Sequence, residues 1–127
     1  MYAKGNRCER FGPEASIAAL RDEDVQVVLT TGHHALPQEM LPLPANFRHE
    51  AYLPGLAMAE QADLLIHHGG YGSCQTGLFM GKPAVIIPTF SERESNARRV
   101  AGVGAGLISL SQRARAADPF SRSELIF

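Results

Sequence analysis

The 127 residues suffice for one hydrophobic core and are too few for two, and a 45% hydrophobic, 20% charged composition is that of an ordinary globular domain. With 12 Lys and Arg against 13 Asp and Glu, the net charge of −1 excludes a broad electrostatic grip on nucleic acid or anionic membrane. Arg93, Arg98, Arg99, Arg113, Arg115 and Arg122 gather late in the chain and are read as a solvated face. Cys8 and Cys74 form no Cys-x-x-Cys pattern, so both are expected as free thiols in a reducing compartment. No window approaches the roughly 20 apolar residues of a membrane span, and no apolar signal region opens the chain; a cytoplasmic location is expected.

In chain order, Tyr2-Ala3 reads as the tail of a strand whose front is missing, turning at Gly5-Asn6. Pro13 suits the first turn of a helix whose apolar stripe, Ile17, Ala18 and Leu20, ends by Arg21 or Asp22. Val25 to Thr31 is a β-branched run closed by Gly32, continuous enough in apolarity for a strand buried on both faces. Pro37, Pro42 and Pro44 make Leu36 to Asn46 a loop. A strand over Phe47 to Leu53, a brief helix over Leu56 to Gln61 and a strand over Asp63 to His67 follow.

Past a glycine-rich stretch, a helix over Ser73 to Met80 is expected to stop at Gly81, a plausible left-handed cap. Ala84 to Ile87 repeats the buried-strand pattern; a helix capped by Ser91 or Ser95 breaks at Gly102, and Gly106 to Leu110 is a last short strand. Ser121-Arg122-Ser123-Glu124 resembles a capping box whose helix is cut off after Phe127. Strands alternating with helices across short connections predict an α/β domain, an open, mostly parallel Rossmann-like sheet with helices on both faces, truncated at both ends. Ligands of such a sheet gather at the carboxyl ends of its strands.

The chemistry concentrates in His67-His68-Gly69-Gly70-Tyr71-Gly72-Ser73, which joins a strand to a helix N-terminus. Glycines let backbone approach a ligand closely, and the first turn of a helix aims unpaired N–H groups and its positive dipole end at the same space. That arrangement suits a phosphate. Neither His33-His34 nor His67-His68 can chelate a metal alone, because adjacent strand residues point to opposite faces, and no carboxylate ligand motif accompanies them. Gly102-Val103-Gly104-Ala105-Gly106 precedes a strand instead of following one, so it is a turn and not a dinucleotide fingerprint. Ser73 lies outside any Gly-x-Ser-x-Gly elbow, and no catalytic acid, base or nucleophile set emerges.

From Leu43 to Leu110 these features stand in an order that resembles the C-terminal, nucleotide-sugar-binding domain of a GT-B-fold glycosyltransferase of the UDP-glycosyltransferase type. The resemblance is carried by Leu43-Pro44-Ala45-Asn46, Tyr52-Leu53-Pro54, the stretch from Ala62 to Ser73, Gly81-Lys82-Pro83-Ala84-Val85-Ile86-Ile87-Pro88 and Asn96-Ala97-Arg98-Arg99-Val100. It implies that His68 meets the donor diphosphate while the backbone of Gly69, Gly70 and Gly72 and the Ser73 hydroxyl cradle it. Tyr52 would stack on the base, with Leu53 to Gly55 reading its edge; Gly55 stands where the family often has Gln.

Thr76, beside Gln75, occupies the place of a Glu that holds the ribose, and Glu92-Arg93 the place of an Asp-Gln pair that holds the sugar, with Asn96 on the same segment. Arg93 offers a charged fork where a neutral amide is common, which would suit an unusual or acidic sugar. The whole of residues 1–127 is then a single donor-binding domain, half of a metal-independent, inverting hexosyltransferase using a UDP- or dTDP-sugar, with no resident cofactor and its N-terminal acceptor-binding domain absent. Alone it should bind donor without turnover, and an uncovered partner face would favour self-association. The alternatives from the sequence are a natural nucleotide-sugar-binding subunit that docks on a separate acceptor-binding protein, and a sensor or epimerase of the same fold.

Overall fold

A computed structural model of the chain describes residues 11–89 and 91–109. The elements run α1 (Phe11–Leu20), β1 (Val27–Thr30), a 3₁₀ turn (Gln38–Met40), β2 (Phe47–Glu50), α2 (Gly55–Gln61), β3 (Leu65–His67), α3 (Tyr71–Met80), β4 (Ala84–Ile86), α4 (Ser91–Gly102) and β5 (Gly106–Ile108). The α/β alternation is as the sequence predicts. The Tyr2-Ala3 strand tail and the capping box at Ser121 lie outside the described residues.

All pairings are parallel, but they fall into two sets. β1 pairs β2, with Val27 opposite Phe47; β3, β4 and β5 form a second sheet in that order, with Leu65 opposite Ala84 and Ala84 opposite Gly106. The strands are shorter than the apolar runs suggest. At the start of β1 the reason is Asn46, whose side-chain amide donates to the carbonyls of Leu20 at 2.8 Å and Val25 at 3.1 Å. The backbone before Val27 is thereby tied into a turn and kept out of the ladder. The expectation that the first strand is buried on both faces fails: Leu29 is buried, yet Val25 and Val28 stay 42% and 40% exposed.

The second sheet carries the core. Cys74, Ala84, Ile86, Ala97 and Val100 are buried together, with Leu65, Ala105 and Ile108 packed around them, so α3 and α4 are seated on β3 to β5. α2 packs against α3 and α3 against α4, which places the starts of α3 and α4 beside each other at the carboxyl ends of β3 and β4. Gly81 closes α3 in the left-handed conformation at φ 64°, as the sequence indicates, and the Lys82 N–H returns to the Gly77 carbonyl at 2.9 Å.

Candidate functional site: the glycine loop at the start of the third helix

β3 ends at His67, and the chain turns through His68, Gly69 and Gly70 into α3. The helix opens at Tyr71, two residues before the expected Ser73, because Gly70 takes an extended capping conformation (φ −61°, ψ 145°) and its carbonyl accepts the first helical bond, from Cys74 N–H at 3.0 Å. No side chain caps this end. The N–H groups of Tyr71, Gly72 and Ser73 therefore have no acceptor within the helix and face outward with its positive end. Ser73 becomes the third residue of the helix and is half-buried.

One glycine here is required by backbone space, and a second leaves room for a side chain. Gly69 sits at φ +85°, and a Cβ on it would come within 2.7 Å of the Arg93 carbonyl oxygen and 3.1 Å of Ile86 Cγ2. At Gly70 the backbone angles would admit any residue, but a Cβ would lie 2.6 Å from His68 Nε2. The missing side chain at 70 makes the room in which the His68 imidazole stands. Gly72 is different, since nothing lies within 4 Å of where its Cβ would be.

The two histidines divide the work. His67 is buried, at 7% exposure; its Nδ1 accepts the Gly69 N–H at 3.1 Å, which fixes the neutral ring with its proton on Nε2 and pins the turn. His68 is half-buried, and its Nδ1 is shut away from solvent with no hydrogen-bond partner. Both rings titrate well below the ordinary value, at about 4: burial is the main cause for each, and for His68 the Arg93 cation adds to it. At neutral pH His68 is thus an uncharged ring, able to donate one hydrogen bond and to gain a proton if an anion arrives.

From β4 and α4 come the remaining partners. Asn96 donates its amide to the Gly69 carbonyl at 3.0 Å, so α4 holds the turn from the far side. Arg93 donates from Nη1 to Thr89 Oγ1 at 2.6 Å, bending its guanidinium back along the β4–α4 connection, toward His68. The structure brings His68, Gly69, Gly70, Arg93 and Asn96 together. Thr76 is half-buried on α3, and Glu92 is exposed at the start of α4. Tyr52, Leu53 and Gly55 lie on other elements, past the carboxyl end of β2 and at the start of α2. Asn96, expected on the sugar, has its amide bonded to the loop backbone.

Tyr52 has a neighbour that sequence reasoning missed. The His33 ring lies flat on it, centroids 4.9 Å apart and planes 8° from parallel. His67 was likewise overlooked as the pin of the loop. Its signal was available: a histidine two residues before a glycine that must take positive φ can accept that glycine's N–H.

Residues 14–123 match the family described as erythromycin biosynthesis protein CIII-like, C-terminal domain. The chain belongs to this family. Over 92 residues it is 41% identical to 4'-demethylrebeccamycin synthase of Lentzea aerocolonigenes, a match that covers 72% of the chain and 21% of the relative. Over 91 residues it is 38% identical to the NDP-glycosyltransferase YjiC of Bacillus subtilis (strain 168), covering 72% and 23%.

Among solved structures, the glycotransferase of kitacinnamycin superposes with a TM-score of 0.67 at 34% identity, over 83% of this chain and 29% of that one. The glycosyltransferase VinC, solved in complex with dTDP, gives 0.65 at 30% identity, over 74% and 24%. The GT-B resemblance read from the motifs is therefore right as to family and fold. The chain spans about a fifth of the length of the curated relatives it matches. Among the described residues no helix is long and apolar enough to cross a membrane, and no group of three or more His, Cys, Asp or Glu is placed to hold a metal ion.

Proposed function

We propose that this domain binds the nucleoside diphosphate of a sugar donor, as part of a glycosyltransferase that moves a hexosyl group to an acceptor hydroxyl. The observation that carries the proposal is the uncapped start of α3 at Gly70, set beside the neutral His68 ring. Backbone N–H groups of Tyr71 to Ser73 receive the phosphate oxygens, the Ser73 hydroxyl adds a donor, and His68 donates from the side. In glycosyl transfer the nucleoside diphosphate departs, and its oxygens gain negative charge as the sugar bond breaks. Fixed donors at that place stabilise the developing charge with no reorganisation.

Tyr52 carries the base, Thr76 lies on the ribose side of α3, and Glu92 accepts from the sugar hydroxyls. Arg93, folded toward His68, supplies a cation near the phosphates. UDP and dTDP are the nucleotides the reading favours, and the dTDP complex of a structural neighbour supports that choice. An acceptor-binding domain from elsewhere in the enzyme completes the reaction, and the isolated chain binds donor without turning it over. No observation favours the stand-alone subunit reading over this one.

Calorimetric titration of the full chain with UDP and dTDP tests the proposal through two variants. His68→Ala should weaken binding about tenfold, the worth of a hydrogen bond to a charged group. Gly72→Ala should raise thermal stability, by about 0.5 to 1 kcal/mol, because alanine suits a helix better than glycine and the new methyl meets nothing. The same methyl should obstruct a phosphate drawn against the first turn, so affinity falls while stability rises. Unchanged affinity in both variants would refute the site.

A further inference from the structure

The His33-His34 pair is left without a task by the donor site, yet the fold treats it carefully. Gly32 and His33 follow β1 with φ of 61° and 70°, and the His34 N–H closes on the Thr31 carbonyl at 3.3 Å, the pattern of a tight turn with both central residues left-handed. His33 is the one non-glycine residue with positive φ among the described residues. Glycine would hold that place with less strain, so the imidazole stands there at a conformational cost.

Three contacts fix the turn. Thr31, wholly buried, donates its hydroxyl to the His34 carbonyl, and its oxygen lies 2.9 Å from His49 Nε2 on β2. The His33 N–H donates to the Ala51 carbonyl at 2.7 Å, which ties the turn to the residue before Tyr52. The result is the flat stack of His33 on Tyr52, with the tyrosine still 58% exposed. A buried anchor, a strained residue and two backbone ties all serve to hold two rings parallel at the surface.

We propose that His33 is a positioning residue for the nucleobase: its imidazole backs the Tyr52 ring, so that a pyrimidine base of the donor stacks on the far face of the pair. The inference rests on the donor-site reading above and adds to it a residue from the β1 end. A lone exposed tyrosine would rotate about its side-chain bonds and lose that freedom when a base arrives. A tyrosine already braced by a second ring has little left to lose, and the affinity gained is specific to ligands that carry a base.

The test compares UDP with inorganic pyrophosphate on the full chain, by calorimetry. His33→Asn removes the ring while keeping a residue that accepts the left-handed conformation; His33→Phe keeps a ring. His33→Asn should weaken UDP about fivefold, the scale of one aromatic pair, and leave pyrophosphate affinity unchanged. His33→Phe should stay near wild type for both. UDP affinity unaltered in His33→Asn overturns the proposal, as does an equal loss for UDP and pyrophosphate, which would mean that the turn as a whole had moved. If the unaltered chain binds neither ligand, the donor-site reading fails and takes this proposal with it.

Discussion

The same dipeptide, His-His, stands near the carboxyl ends of β1 and β3 with opposite treatment. His67-His68 is drawn inward: one ring pins Gly69, the other stands in the space left by Gly70, and both are held neutral by burial. His33 and His34 remain exposed, and His33 is spread flat against Tyr52. Residue type alone therefore does not say what a histidine is for. The loop after β3 is made of groups suited to oxyanions, and the turn after β1 presents ring faces suited to a base. In the proposed reading, the two ends would take the two halves of a nucleotide.

The comparison breaks most severely at Gly69. Gly69→Ala would force an alanine into φ +85° and drive its methyl to 2.7 Å from the Arg93 carbonyl, a backbone atom that cannot swing aside. A loss of about 3 kcal/mol is expected, from left-handed strain plus overpacking, with Tm lowered by roughly 10 °C. Thermal denaturation followed by circular dichroism measures it. The corresponding Gly32→Ala after β1 meets only the strain, because nothing lies within 4 Å of its Cβ position, and should cost clearly less.

Acid sharpens the contrast in a second way. In the unfolded chain His67 and His68 take up protons near the ordinary value of 6.5, whereas the folded rings resist until about 4. The unfolded state thus binds more protons between these values, so the stability they support is complete above pH 6.5 and declines as pH falls toward 4. His67, the more deeply buried, contributes on the order of 3 kcal/mol to that decline, and the half-exposed His68 less. Protonating His67 Nδ1 would also abolish its bond from Gly69. Urea denaturation at pH 7 and pH 5 should show the loss, and His67→Gln should flatten the dependence.

Much of this was legible in the residues. The alternation of elements, the Gly81 cap and the run from His67 to Ser73 gave the fold and the place of the loop, because turn glycines and apolar runs act locally. The missed features depend on contacts across the chain. Asn46 shortens β1 by reaching back to Leu20 and Val25, and Asn96 reaches 27 residues back to the Gly69 carbonyl. The start of α3 moved from Ser73 to Tyr71 because Gly70, which leaves room for the His68 ring, itself takes the extended capping conformation. Nothing in the string of letters shows that His33 lies on Tyr52, 19 residues away, since β1 and β2 must pair before the rings meet.

The most direct measurement is nitrogen NMR of the five histidine rings as ligand is added to the full chain. With inorganic pyrophosphate the His68 resonances should move toward the protonated form, while His33 stays in place. With UDP both His68 and His33 should move, one through the phosphates and one through the base. Saturating UDP that leaves the His68 resonances where they were would contradict the diphosphate site.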